Sequence, residues 1–564
     1  MRHSGPPATV ASASPSATRT SRRESTASPP SSADRTATST RGSPRERRSR
    51  SNEAAATKQE PSSEETAATG DMVLEASIVE LQEAMSSGAF DSRRLTAGYL
   101  ARIEEIDRSG PTLNSVIEVN PDADEIAAAL DRERAVDGPR GPLHGIPVLL
   151  KDNIATGDRM QTTAGSTALI GSPAVRDASL VTRLRDAGAV ILGKTNLSEW
   201  ANIRSSRSTS GWSARGGLTR NPYALDRNTS GSSSGSAVAV AASLCAVAVG
   251  TETDGSIVSP ASVNGLVGIK PTVGAVSRDG IIPISHSQDT AGPMGRTVAD
   301  AAALLAALVE PGSAGSGVDE LGTDALGSAS LAGSRLGVLR NHDGAHPGVD
   351  ALFEAHVETL RRAGAVLVDP VELEHGDEIE RCEFPVLLHE LKFGLERWFA
   401  EFAPSCGIGS LADLIAWNRH HAETELRWFG QELFEAAGDL PGLDDPEYLE
   451  MLATCRRASQ TDGIDAVLAA HDLDALVAPT GGPAWMTDLV NGDNDTGSCS
   501  TPAAVAGYPH VTVPMGQVGG LPVGWSFIGD AGSDARMVRF AAAFERLVQG
   551  RTPPTYAASV AARG

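Results

Sequence analysis

A lysine and two serines in the sequence have the chemistry for acyl transfer without a histidine. Lys151 stands at the end of the apolar run 147–150, so we expect its amine to be desolvated, which disfavours the ammonium form. A lysine kept neutral in this way can act as a general base. Ser232 lies in the Ser/Gly-rich loop 230–236, and Ser256 lies in a second glycine-containing loop. The three side chains would supply a nucleophile, a proton relay and a base.

The residues before Ser256 suggest how a negative charge on a substrate would be stabilised. Gly255 permits a tight turn that aims successive backbone N–H groups at one point, which is the geometry of an oxyanion hole. The preceding Asp254 has two uses, a hydrogen bond within the turn or a hydrogen bond to a donor on the substrate. We expect the bond within the turn.

Two familiar motifs also match by letter. Residues 188–195 read Gly-Ala-Val-Ile-Leu-Gly-Lys-Thr, which fits a phosphate-binding loop. Such a loop needs a strand before its first glycine, whereas here a helix precedes Gly188 and the middle of the motif is the strand. We therefore interpret Lys194 as a structural or solvent-edge lysine.

The second motif, Gly-x-Ser-x-Gly at residues 231–235, would make Ser233 the nucleophile of a strand-to-helix elbow. The residues before it, 221–229, do not read as a strand. The later histidines, His471 and His510, stand in no distinctive context. The elbow therefore remains a rival with less support than the lysine and two serines.

Helical and strand patterns alternate along the chain and predict an α/β fold with a mixed sheet enclosed by helices. The segment 380–465 reads as mostly helical. The expected helices are 78–85, 95–106, 180–187 and 236–244, and the expected strands are 147–150, 189–192, 246–250, 476–478 and 510–513.

Composition divides the chain of 564 residues near residue 70. Residues 1–70 contain no Leu, Ile, Phe, Tyr, Trp or Cys, so they bury too little apolar surface to offset chain entropy, and we expect a disordered extension. Motifs continue without a linker-like break after that point, which predicts a single domain over residues 71–564.

The charge and the cysteines exclude several classes of protein. A net charge of −23 repels the phosphates of nucleic acid and of anionic lipid, so we expect neither as a partner. Five cysteines without a C-x-x-C pair argue against a disulfide framework and against a zinc module. Without a recognisable signal peptide or membrane-spanning run, we expect a cytoplasmic protein.

The motifs resemble those of the amidase signature family over most of residues 75–545. The resemblance rests on blocks that follow one another in order. These are 145–152, Thr162–Ser166, Gly188–Asn196, Gly231–Ser236, Gly250–Pro260, Gly265–Thr272 and 288–294.

The resemblance implies a mixed sheet enclosed by helices and a Ser-Ser-Lys triad. By motif, Ser256 would be the nucleophile, Ser232 the bridging serine and Lys151 the base. The oxyanion hole would fall on the backbone N–H groups of residues 253–256, namely Thr253, Asp254, Gly255 and Ser256. No metal or organic cofactor is implied.

Departures from the common pattern narrow the substrate. Val258 stands where the family usually has an arginine, and a guanidinium there could bind a substrate carboxylate bidentately. The variant block 251–258, with 196–202 and 277–283, is similar to the peptide amidase branch, which removes ammonia from C-terminal peptide amides. We therefore expect a small-molecule or short-peptide amide as substrate.

Two alternatives stay open. One is the glutamine-amidase subunit of a tRNA-dependent amidotransferase, from the same family. The other is a non-catalytic binding protein on this fold. Four tryptophans could line a pocket, although packing is the default role for a buried aromatic: Trp200, Trp212, Trp485 and Trp525.

Overall fold

The computed structural model describes residues 73–313, 317–318 and 321–560. These residues form one 11-stranded sheet, a two-stranded ribbon and the helices around them. The strands are β1 Val116–Val119, β2 Pro147–Lys151, β3 Val190–Thr195, β4 Trp212–Ser213, β5 Gly217–Leu218, β6 Val247–Glu252, β7 Val267–Lys270, β8 Thr290–Gly295, β9 Arg335–Leu339, β10 Val366–Val371, β11 Ala475–Pro479, β12 His510–Val518 and β13 Leu521–Ile528.

Helices cover both faces of the sheet and fill the long connections. They are α1 Ile78–Ser86, α2 Ser92–Arg102, α3 Ala123–Asp137, α4 Ser179–Asp186, α5 Ser234–Ala241, α6 Val258–Val263, α7 Val298–Leu308, α8 Thr323–Gly327, α9 Pro347–Arg362, α10 Gly376–Phe402, α11 Leu411–His420, α12 Ala422–Glu425, α13 Glu432–Asp439, α14 Pro446–Ser459, α15 Asp465–His471, α16 Thr501–Ala506 and α17 Asp534–Val548.

The large sheet is mixed, with the strand order β1-β3-β2-β6-β8-β7-β12-β13-β11-β9-β10. Parallel pairs join β3 to β2, β2 to β6, β11 to β9 and β9 to β10. The pairs between them, from β6 through β8, β7, β12 and β13 to β11, are antiparallel. The predicted fold class, a mixed α/β sheet enclosed by helices, is confirmed.

The position of the candidate site follows from the pairing of β2 with β6. Both strands are buried along their whole length, as expected of parallel strands covered on both faces. They run in the same direction with Leu150 opposite Val249, so their carboxyl ends meet at one edge of the sheet. Lys151 and Thr251 are thereby brought together.

Two of the predicted strands continue further than the apolar pattern indicated. β3 extends to Thr195, which pairs with Lys151, and β6 extends to Glu252, which pairs with Thr290. The ladder therefore includes polar residues at its ends, because their backbone groups find partners on the neighbouring strands.

The segment between β10 and β11 is covered by helices α10 to α15. The long helix α10 packs against α14, where the Tyr448 hydroxyl donates to Glu390 Oε1 at 2.8 Å. Glu390 also accepts from the Ser285 hydroxyl at 2.6 Å and from Ser287 N at 3.0 Å. The helix is thereby anchored over the connection that leads into β8.

One expectation from the cysteines is wrong. Cys382 in α10 and Cys455 in α14 form a disulfide with Cα atoms 6.0 Å apart. The pairing joins residues separated by 73 positions, and it depends on the packing of two helices, which cysteine spacing in the sequence does not reveal. Cys245, Cys406 and Cys499 are free.

The expected disordered extension, residues 1–70, lies outside the described residues. Among the helices that the structure does describe, none is long and apolar enough to cross a membrane.

Candidate active site

Lys151 is fully buried at the last position of β2. Its Nζ atom lies 2.7 Å from Ser232 Oγ, 2.9 Å from Thr251 Oγ1 and 3.2 Å from the Thr251 carbonyl oxygen. Burial lowers the pKa of Lys151 to about 7, although the negative charges of Asp289 and Glu252 act in the opposite direction. The desolvated lysine expected from the apolar run is therefore present.

The hydrogen-bond donors and acceptors around Lys151 favour proton transfer from Ser232 to the lysine. A neutral amine has two N–H donors and one lone pair, and a carbonyl oxygen only accepts. Thr251 O must therefore receive one N–H, and Thr251 Oγ1, which also accepts from Asn153 Nδ2 at 3.0 Å, can receive the other. The lone pair is left to face the Ser232 hydroxyl.

Ser232 stands between the lysine and the second serine. Its Oγ atom lies 3.0 Å from Ser256 Oγ, and its side chain is fully buried. The loop that carries it is tight: Ser230 has a φ of 55°, and a Cβ on Gly231 would collide with Ser198 Oγ. Ser198 N also donates to the Ser232 carbonyl oxygen at 3.1 Å. These contacts fix the loop against its neighbour.

Ser256 lies in the turn between β6 and α6. Glu252 Oε2 stabilises the C-terminal end of this turn by accepting from Ile257 N at 2.7 Å and Val258 N at 3.0 Å. Gly255 has a φ of 74°, a conformation that favours glycine. Within the described part of the chain, the backbone N–H groups of residues 253–256 donate to no protein acceptor. They are available to a group placed beside Ser256.

Asp254 does not bond within its own turn, so that expectation is wrong. Its Oδ2 atom accepts from the Thr501 hydroxyl at 2.7 Å, a contact between segments that are distant in sequence. Its Oδ1 atom is buried without a hydrogen-bond partner among the described residues.

The two rival motifs have structural explanations. Lys194 is fully buried in β3 and donates to the Ile154 carbonyl at 2.6 Å and to Thr162 Oγ1 at 2.9 Å. Ser233, the elbow candidate, is also fully buried and donates to the Thr251 carbonyl at 3.0 Å. Lys194 is therefore a structural lysine, and the Ser233 hydroxyl is engaged with backbone.

Thr251, Asn153 and Asp289 contribute to the site and were not predicted for it. Asp289 Oδ1 accepts from the Thr253 hydroxyl at 2.6 Å, and its Oδ2 accepts from Ile284 N and Ser285 N, each at 2.9 Å. Burial raises the pKa of Asp289 to about 6. The parallel register of β2 and β6 is the signal that could have identified Thr251 as a neighbour of Lys151.

A small cavity of about 60 Å³ lies beside the two serine loops. Its lining includes Ser230, Ser259, Trp485 and Ser498, and of the four tryptophans singled out from the sequence only Trp485 is among the lining residues. Trp525 is completely buried and packs against Phe353.

Among the described residues, no group of three or more His, Cys, Asp or Glu side chains is placed to hold a metal ion.

Comparisons with known proteins find a matching family model and similar chains. The family model described as Amidase matches residues 94–538. A probable amidase of Arabidopsis thaliana is 42% identical over 502 residues, which are 86% of this chain and 92% of that protein.

Two solved structures of a peptide amidase are similar to this chain. The native enzyme from Stenotrophomonas maltophilia has a TM-score of 0.80 and 53% identity, covering 86% of this chain and 99% of that one. A complex of the peptide amidase PAM with the competitive inhibitor chymostatin has a TM-score of 0.81 and 53% identity, covering 85% and 99%.

Proposed function

The chain belongs to the amidase family and hydrolyses amides, and from that premise we propose that it removes ammonia from C-terminal peptide amides through Ser256, Ser232 and Lys151. The observation that carries this proposal is the chain of contacts from Lys151 Nζ through Ser232 Oγ to Ser256 Oγ, at 2.7 and 3.0 Å. It ends beside four backbone N–H groups that donate to no acceptor among the residues that the structure describes.

The first half of the reaction forms an acyl-enzyme. Neutral Lys151 takes the proton of Ser232, and Ser232 takes the proton of Ser256 as its Oγ atom attacks the carboxamide carbon. The carbonyl oxygen becomes an oxyanion, to which the N–H groups of residues 253–256 donate. When the tetrahedral intermediate collapses, the C–N bond breaks and Lys151 returns its proton through Ser232 to the leaving nitrogen, which departs as ammonia.

The second half repeats the route with water. A water molecule loses a proton to the relay and attacks the ester carbonyl, so that a second oxyanion forms in the same place. The C–O bond to Ser256 then breaks, and the relay returns the proton to Ser256 Oγ. The free acid leaves and Lys151 is neutral again.

The substrate class is supported by the residue that follows the nucleophile turn and by the relatives. Val258 is buried and apolar, so it offers no cation for the carboxylate of free glutamine. Both similar structures are peptide amidases, and one was solved with the inhibitor chymostatin. We propose a small or short-peptide amide as substrate, and neither nucleic acid nor a membrane as partner.

The glutamine-amidase subunit of an amidotransferase is the second candidate. It shares the relay and the turn, so these features do not separate it from a peptide amidase. Val258 is the specific observation against it. A non-catalytic binding protein would need neither the aligned hydroxyls nor the desolvated lysine.

One assay separates the candidates. Purified protein would be given a C-terminally amidated dipeptide or free glutamine at equal concentration, and ammonia release would be measured. We expect release from the dipeptide amide at a rate well above that from glutamine. Release mainly from glutamine would support the amidotransferase subunit, and release from neither would contradict the catalytic proposal.

A further inference from the structure

Asp254 has a hydrogen-bonding capacity that the protein leaves unused. One carboxylate oxygen, Oδ2, is held by the Thr501 hydroxyl at 2.7 Å. The other, Oδ1, is buried and accepts from no described residue. Burial raises the pKa of Asp254, and the Ser500 and Thr501 hydroxyls act in the opposite direction. Ser500 Oγ lies 2.9 Å from Ser498 Oγ and makes no hydrogen bond to Asp254 Oδ1. A buried acceptor without a donor is costly unless a ligand supplies one.

The surroundings of Asp254 show what kind of donor fits. Gln288 Nε2 donates to the Thr253 carbonyl at 3.4 Å and to Glu383 Oε1 at 2.9 Å, and thus holds Glu383 of α10 beside the nucleophile turn. Burial, with the charge of Asp254 as a further cause, raises the pKa of Glu383 to about 8.

Burial raises the pKa of Asp254, and the charge of Lys270 at the end of β7 acts in the opposite direction. The acceptor that remains is Asp254 Oδ1, in a residue two positions before Ser256. A neutral N–H group can donate to it.

Resting on the proposed function, we propose that Asp254 Oδ1 accepts the backbone N–H of the residue that bears the scissile carboxamide. In a peptide amide this nitrogen is bonded to the same Cα atom as the carbon that Ser256 attacks. A simple carboxamide has no such N–H. Asp254 would thus be the residue that makes the enzyme select peptide amides.

The test replaces the backbone N–H of the substrate with an oxygen atom. Wild-type enzyme would be given N-acetylalaninamide and O-acetyl-lactamide, which differ in having N–H or oxygen at the position in question. Because only ammonia is measured, cleavage of the ester bond does not register. Losing a hydrogen bond to a charged group should lower kcat/KM by roughly 10- to 100-fold for the ester analogue.

A variant assigns this difference to Asp254. In Asp254→Ala the ratio of the two kcat/KM values should fall towards one, whereas merely structural damage to the turn would slow both substrates alike and leave the ratio unchanged. The matched control is Asp377→Ala, which removes an exposed acid from the first turn of α10 and should keep the wild-type ratio.

The outcomes separate this inference from the function on which it rests. Equal rates for both substrates in the wild type would overturn the inference and leave the amidase proposal intact. A wild-type ratio that persists in Asp254→Ala would overturn the assignment to Asp254. If neither compound nor an amidated dipeptide releases ammonia, the proposed function fails and this inference fails with it.

Discussion

The backbone N–H of Ser233 donates to the carbonyl oxygen of Ser256 at 3.2 Å. A main-chain bond therefore joins the loop of the bridging serine to the turn of the nucleophile. Ser233 Oγ adds to this link by donating to the Thr251 carbonyl at 3.0 Å and accepting from Thr251 N at 3.2 Å. The spacing between Ser232 and Ser256 is thus set by backbone and by Ser233, and not by the two reacting side chains.

This arrangement predicts an order of effects for the three serines. Ser256→Ala removes the nucleophile, so no acyl-enzyme should form. Ser232→Ala keeps the nucleophile but interrupts the relay, and the rate should fall by about 10²–10⁴-fold. Ser233→Ala should retain most activity but remove one hydrogen bond each from the Thr251 carbonyl and the Thr251 N–H, with a loss of about 1–3 kcal/mol in the free energy of unfolding.

Covalent labelling provides the measurement for this order. A serine-reactive sulfonyl fluoride, followed by peptide mapping, should place the label on Ser256, and thermal unfolding of each variant would separate loss of chemistry from loss of fold. Label on Ser233, with activity surviving in Ser256→Ala, would establish the elbow motif instead.

Much of the site follows from local sequence, and the rest depends on contacts between distant segments. The apolar run before Lys151 predicts both a buried strand and a desolvated amine, and Gly255 predicts a tight turn. The partners of Asp254 and Cys382 are different, because Thr501 and Cys455 meet them only through the packing of helices. A single sequence carries no pattern that specifies such packing.

We predict that residues 1–70 are dispensable for catalysis. Their composition provides no core and they contain none of the motif residues, so we propose that residues 71–564 act as one catalytic domain. A chain beginning at Asp71 should have the specific activity and the melting temperature of the full chain. A large loss of either would show that the extension takes part in the fold.

The disulfide between α10 and α14 should contribute measurably to stability. It closes a loop over a sequence separation of 73 residues, and disulfides typically contribute about 2–4 kcal/mol. Cys382→Ser should lower the melting temperature under oxidising conditions, whereas Cys406→Ser, which replaces a free cysteine, serves as control. Thiol titration of the denatured protein should find the three free cysteines, and a count of all five would contradict the disulfide.

Lys151 should control the acid side of the pH–rate profile. Its pKa is about 7 and only the neutral amine accepts a proton, so kcat/KM should be constant at higher pH and fall below about pH 7. Lys151→Arg should be inactive at every pH because arginine stays protonated. Substantial activity in Lys151→Arg would refute the neutral base.

The same shift in pKa has a consequence for stability. The pKa of Lys151 is below its ordinary value of 10.5, so between about pH 7 and 10.5 the unfolded chain binds more protons and wild-type stability rises with pH. Lys151→Met lacks this contribution. Its melting temperature, relative to wild type, should therefore be higher at pH 7 than at pH 10.

Asp289→Asn should move the acid limb of the pH–rate profile to lower pH without abolishing it. The negative charge of Asp289 raises the pKa of Lys151, and the amide retains the shape of the carboxylate while removing that charge.

Asp289 has a pKa of about 6, so its own titration could also produce the acid limb of the pH–rate profile. The variant decides between Asp289 and Lys151. A limb that persists at lower pH belongs to Lys151, whereas a limb that vanishes belongs to Asp289. Glu545→Gln is the control, since it removes a partly buried acid with a pKa of about 7 that accepts from Val298 N, and it should leave the midpoint unchanged.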